Sequence, residues 1–123
     1  MAEVKRKYHM NGELKAEWFE MNGIKEGIYK IYYEDGKIEY VCNYVNDKRE
    51  GEYKYYWENG QLFSIFNYVN GRREGEYKNY HNNGQLRKIC NYVNDKKEGE
   101  QKWYYDNGEL REICNYVKGV KKA

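Results

Sequence analysis

The sequence predicts an all-β protein built as one antiparallel meander of five stacked β-hairpins. Three observations carry that prediction. A 24-residue unit recurs five times without insertion or deletion, each copy contains two chain-reversal signals, and sixteen Tyr stand against three Phe and no Pro. A fixed period of this length marks a repeat architecture, in which each unit buries its apolar surface only against its neighbours. The copies span residues 3–26, 27–50, 51–74, 75–98 and 99–122, so the chain of 123 residues reads as one domain, 1–123, with no linker inside it.

With each copy numbered from one to twenty-four, the third copy reads GEYKYYWENGQLFSIFNYVNGRRE from Gly51 to Glu74. A first strand precedes the turn at places nine and ten, held by Asn11-Gly12, Asp35-Gly36, Asn59-Gly60, Asn83-Gly84 and Asn107-Gly108. Asn-Gly and Asp-Gly between aromatic and aliphatic residues are strong hairpin signals, because they accept φ > 0 at both turn positions. A second strand then runs to places twenty and twenty-one: Asn22-Gly23, Asn46-Asp47, Asn70-Gly71, Asn94-Asp95 and Lys118-Gly119. Two reversals per copy give roughly ten strands, and two-residue reversals rule out the crossovers of a parallel β-helix. Propeller blades need about 40 residues each.

If the first turn is a two-residue loop, places three, five and seven share a face with twelve, fourteen, sixteen and eighteen. In copy three that face is Tyr53, Tyr55, Trp57, Leu62, Ser64, Phe66 and Tyr68, and the other carries Glu52, Lys54, Tyr56, Gln61, Phe63, Ile65 and Asn67. Tyr suits such a half-buried layer, with an apolar ring and a polar tip. The glycine at place one (Gly27, Gly51, Gly75, Gly99) then opposes Tyr44, Tyr68, Tyr92 and Tyr116, the arrangement in which a ring covers a strand glycine. Copy one departs from the pattern with Glu3, Lys5 and Lys7, and the last copy closes on Lys118, Lys121 and Lys122. Charges on outer strands block edge-to-edge pairing, which favours a monomer or a modest homodimer.

The repeated G-E-Y-K-x-Y-x-x-N-G-Q-L, followed by N-Y-V-N-G-K/R-x-E, resembles the MORN-repeat superfamily. It is most similar to the 24-residue variant common in bacterial proteins and large DNA viruses; the Y-x-G-x-W opening of standard MORN copies is absent. The resemblance implies an elongated, twisted, single-layer sheet with a groove along one face. It also implies a protein-interaction or scaffold role, with phospholipid-headgroup binding and an antitoxin label attached to some members.

Candidate chemistry is sparse. Cys42, Cys90 and Cys114 share place sixteen; equivalent strands of adjacent copies lie about 9.6 Å apart, so Cys90 and Cys114 are beyond the roughly 7 Å that a disulfide spans. His9 and His81 lie three copies apart, and Ser64 has no motif around it. No nucleophile, base and orienting group converge, so the expectation is a non-enzyme with no cofactor, no metal site and no catalytic residue. A net charge of +2 exerts no bulk pull towards nucleic acid. The N-terminus MAEVKRKYHM lacks a secretory apolar stretch, an expectation of cytoplasmic location.

Two surfaces remain as candidates. Places five and fourteen change chemistry from copy to copy and should pair as Ile31–Tyr40, Tyr55–Ser64, Asn79–Lys88 and Trp103–Glu112. Aromatic anchors on that face, Tyr40, Tyr55, Trp57, His81, Trp103 and Tyr105, fit a protein partner of unknown identity. The doublets Lys48-Arg49, Arg72-Arg73 and Lys96-Lys97 recur at the second turn. They read either as a solvated edge balanced by Glu50, Glu74 and Glu98, or as a row facing an anionic membrane lipid.

Overall fold

The computed structural model describes residues 2–122. After an outer strand Ala2–Tyr8, the copies contribute strands Gly27–Tyr32, Gly51–Tyr56, Gly75–Tyr80 and Gly99–Tyr104. These alternate with longer return strands Leu14–Met21, Ile38–Val45, Leu62–Val69, Leu86–Val93 and Leu110–Val117. Two-residue stubs follow the second turns (Ile24–Lys25, Lys48–Arg49, Arg72–Arg73, Lys96–Lys97), and Val120–Lys122 ends the sheet. All are hydrogen-bonded into one open antiparallel sheet in sequence order, with no helix among the described residues. Eleven strands lie along its path, so at about 4.8 Å per strand the sheet runs roughly 50 Å.

The two turns differ in kind. At the second turn both residues have positive φ, as in Asn70 (53°) and Gly71 (83°), the two-residue type I′ geometry that closes Val69 against Arg72. At the first turn only the glycine does: Gly60 has φ 90° and Asn59 does not. The Gly60 N–H donates to the Trp57 carbonyl at 2.9 Å and the Trp57 N–H to the Gln61 carbonyl at 2.8 Å. Asn59 Oδ1 accepts the Gln61 N–H at 2.9 Å. The loop is therefore the three residues Glu58-Asn59-Gly60, which corrects the two-residue expectation.

A second irregularity cancels the first. The ladder steps from Tyr55↔Ser64 to Tyr56↔Leu62, leaving Phe63 as a bulge. One residue is added to the loop and one is removed from the ladder, so places one to five still meet fourteen to eighteen. All four mid-face pairs form as expected, Ile31↔Tyr40, Tyr55↔Ser64, Asn79↔Lys88 and Trp103↔Glu112. Places twelve and thirteen, however, exchange faces. Leu62 joins Ile65 and Tyr80 on the second face, while Phe63 turns onto the aromatic one.

The place-one glycines oppose tyrosines as expected (Gly51↔Tyr68), but not for the expected reason. Gly27, Gly51, Gly75 and Gly99 have φ between 86° and 91°, and a Cβ at any of them would meet nothing within 4 Å. They sit where the strand bulges away from its predecessor, between the Glu74 N–H bonded to the Asn67 carbonyl and the next pair, Lys78↔Ile65. Only glycine adopts that φ without strain. Glu3, at place one of the first copy, lies inside the strand Ala2–Tyr8 and is not among the residues with positive φ.

In a single layer, side chains can be covered only by neighbours on the same face. Every residue less than a tenth exposed (Ala16, Cys42, Tyr53, Ser64, Asn79, Cys90, Tyr92, Gln101) comes from places three, five, fourteen, sixteen or eighteen. The aromatic face is thus the core.

Second turns are also tied copy to copy. The place-twenty-four glutamate of one copy accepts the place-twenty N–H of the next: Glu50 from Asn70, Glu74 from Asn94 (both 2.8 Å) and Glu98 from Lys118 (3.0 Å). The place-twenty-one N–H donates to the preceding copy's place-twenty-three carbonyl, as Gly71 to Arg49 at 2.9 Å. Each glutamate satisfies a turn donor that has no ladder partner. Glu74→Ala is expected to cost about 1 kcal/mol, with Glu74→Gln retaining most of it, read from urea midpoints.

Candidate functional site

The aromatic face carries one continuous run of packed rings. Trp18, Tyr29, Tyr40, Tyr53, Phe66 and Tyr77 follow one another with centroids 5.3, 6.2, 5.2, 4.8 and 5.2 Å apart. Tyr44, Tyr68 and Tyr92 branch from it at 5.6, 6.0 and 6.2 Å. Such pairs contribute about 0.5–1.5 kcal/mol each beyond their burial.

The basic doublets divide between two surroundings, because adjacent strand residues point to opposite sides. Lys48, Arg72 and Lys96 are exposed. Arg49 lies over Tyr53 and Tyr68 at 5.2 and 5.5 Å, Arg73 over Tyr92 at 4.5 Å and Lys97 over Tyr116 at 4.9 Å. Arg49 and Arg73 also donate to the Tyr68 and Tyr92 hydroxyls at 3.3 and 3.4 Å. The second cation of each doublet is therefore part of the ring ladder, and the exposed row is Lys48, Arg72 and Lys96.

Place seven forms a ladder of its own. Trp57 Nε1–H donates to the Tyr80 carbonyl at 3.3 Å, and His81 Nε2 lies 2.9 Å from the Tyr104 carbonyl. A carbonyl only accepts, so the His81 proton is on Nε2. Tyr33 and His9 make the same bond to Tyr56 and Tyr32. The polar tips of Trp57 and His81 are thus committed within the sheet, although their rings stay half-buried. Tyr105, at the same place in the fifth copy, is 50% exposed.

Among the other expected anchors, Tyr40 and Tyr55 stack together at 5.9 Å, and Trp103 stands half-buried four strands beyond Tyr55. The structure adds place thirteen, which parity had put on the opposite face. Phe63 packs edge-on against Tyr55 (6.0 Å) and Trp57 (4.6 Å), Glu39 accepts the Tyr55 hydroxyl at 3.0 Å, and Arg87 lies 5.3 Å from the Trp103 ring. The bulge that brings these residues over leaves no sequence signal beyond the Gly of the first turn.

Burial raises Tyr40 and Tyr55 from 10.0 to about 12, with the Glu39 bond a second cause at Tyr55. A raised phenol pKa means that folding favours the neutral ring. The stability it adds is complete below pH 10 and lost as pH rises towards about 12. The urea midpoint is therefore expected to fall across that window, and less steeply in Tyr40→Phe, which cannot ionise.

Cys42, Cys90 and Cys114 are free thiols, and burial pushes the Cys42 and Cys90 thiols up. No group of three potential metal ligands occurs among the described residues. Open clefts lie off the ring ladder. One of about 450 Å³ on the second face is lined by Leu62, Ile65, Asn67, Lys78 and Tyr80. Another of the same size, at the first-turn edge, is acidic, with Glu34, Asp35, Glu39 and Glu58 beside His9 and Tyr33.

The family profile described as MORN repeat variant matches residues 25–46, 49–70, 73–94 and 97–118, more than half of the chain and in step with the period. This chain belongs to the MORN repeat variant family. Its first copy lies almost wholly outside the four matched MORN segments. No curated protein matches the sequence. Among solved structures, accessory secretory protein 1, 2 and 3 in Streptococcus pneumoniae is similar with a TM-score of 0.46 and 11% identity, over 81% of this chain and 18% of that one. The GtfA/B complex bound to UDP and GlcNAc is similar with a TM-score of 0.36 and 19% identity, over 91% and 22%. This MORN chain spans about a fifth of the length of either, and at these scores the likeness carries no functional argument.

Proposed function

We propose that this MORN repeat protein is a non-catalytic scaffold that binds a protein segment on its aromatic face. The observation behind the reading is where the copies differ. The place-eighteen tyrosines Tyr44, Tyr68, Tyr92 and Tyr116, the turn residues and the capping glutamates recur, whereas places five, thirteen and fourteen hold Ile31, Glu39 and Tyr40, then Tyr55, Phe63 and Ser64, then Asn79, Arg87 and Lys88, then Trp103, Arg111 and Glu112. Most of these side chains stand half-buried on a rigid backing of stacked rings, the setting in which an aromatic anchor buries large area at low entropy cost. Neutralising a toxin-like partner, the role attached to bacterial members of the 24-residue branch, uses the same face with a different target. A lipid headgroup has less to bind, since Arg49 and Arg73 are engaged with rings and tyrosine hydroxyls.

A photo-crosslinking residue at Phe63, on the aromatic face, or at Ile89, on the other, tests the reading. Partner adducts from position 63 and none from 89 are expected; adducts from 89 alone overturn it.

A further inference from the structure

In the last copy, Lys121 and Glu112 form an ion pair at 3.8 Å. They occupy places twenty-three and fourteen, both on the aromatic face. In the fourth copy those places hold Lys97 and Lys88, so an ammonium replaces the carboxylate. The second and third copies pair a cation with a neutral group there, Arg49 with Tyr40 and Arg73 with Ser64. Only copy four sets two like charges in positions built to touch.

A third cation joins them. The Lys88 ammonium lies 5.0 Å from the Trp103 centroid and 5.4 Å from Tyr77, and the Arg87 guanidinium lies 5.3 Å from the same Trp103. Among the described residues, no carboxylate comes within 4.0 Å of Arg87, Lys88 or Lys97. Ring faces offset only part of the charge. Like charges repel more strongly beside a protein surface than in water, so the rings alone leave the cluster unbalanced. Consistent with that field, burial, then the Lys97 charge and, more weakly, Arg87, hold Lys88 below the ordinary lysine range.

We propose that Arg87 and Lys88, beside the Trp103 ring, together with Lys97, over Tyr116, form a carboxylate-binding site in which a ligand supplies the carboxylate that Glu112 supplies in copy five. The Glu112–Lys121 pair shows that a carboxylate fits between these two places, and Arg87 adds a planar fork that can bond both of its oxygens. The carboxylate comes either from an acidic peptide side chain or from a free small polycarboxylate.

The test titrates the protein with hexaglutamate peptide, citrate and inorganic phosphate at constant ionic strength, following the Trp103 indole N–H by NMR together with the melting temperature. Wild type should show a saturable Trp103 shift and a higher melting temperature with a carboxylate probe. Lys88→Glu recreates the copy-five pair, so it should melt no lower than wild type yet bind at least tenfold more weakly. Lys97→Met, which keeps the apolar stem, should also bind more weakly, and Lys96→Glu on the exposed row should bind as wild type does. A response to hexaglutamate alone assigns the carboxylate to a peptide; an equal response to citrate assigns it to a free acid. The proposal is overturned by no saturable response in wild type, by an undiminished response in folded Lys88→Glu, or by phosphate binding in preference to both carboxylates.

Discussion

Tyr53→Ala is expected to cost about 3 kcal/mol, the low end of what truncating a large buried ring costs. Tyr53 is 9% exposed and lies against Tyr40 (5.2 Å), Phe66 (4.8 Å) and Tyr68 (6.0 Å), with Arg49 over its face at 5.2 Å. In a closed core, a neighbouring layer can settle into such a gap. Here no second layer exists, so the space opens to water and Arg49 loses one of its two rings. The effect also spreads. Stability in a repeat array is a sum of unit terms and nearest-neighbour interfaces, and Tyr53 spans the interface between copies two and three. Urea unfolding should therefore show a lower midpoint and a broadened transition as the two ends uncouple. Tyr53→Phe keeps the ring and should lose less than about 1 kcal/mol. An alanine variant that unfolds like wild type would mean that the ring run is surface decoration rather than core.

Much of this was legible in the sequence, and what was not has identifiable causes. The period, the two reversals per copy and the pairing of places five and fourteen followed from spacing alone. The first turn was misread because Asn-Gly serves two geometries. In type I′ both residues take φ > 0, whereas in a type I turn closed by an αL glycine only Gly60 does and Asn59 supplies a side-chain acceptor instead. Pairing beyond the loop could not reveal the difference, since the Phe63 bulge restores the register. At place one a φ near +90° is what requires glycine, and spacing alone carries no sign of that. The division of the basic doublets, by contrast, was available from parity: consecutive strand residues face opposite ways, so one of each pair had to meet the rings.

That division sharpens the contrast between surfaces. Trp103→Ala is expected to weaken partner binding by about 2 kcal/mol, the threshold of a hot spot, which is roughly thirtyfold in affinity. Trp103 is half-buried, its ring flanked by Arg87 and Lys88, so its exposed area is large, rigid and already partly desolvated. Its loss also removes cross-strand contacts with Lys88 and Glu112, worth up to about 1 kcal/mol each in stability. Unfolding must therefore be measured on the same samples, at a temperature where both proteins are folded. The comparison variant reverses the exposed row, Lys48, Arg72 and Lys96, to glutamate. It leaves Arg49, Arg73 and Lys97 on their rings, so it tests edge charge without disturbing the ladder. Rim charges are screened at physiological salt, and each reversal should change affinity by less than about 0.5 kcal/mol. If the row reversal abolishes binding while folded Trp103→Ala binds normally, the aromatic face is not the docking surface and an anionic partner at the exposed row replaces it.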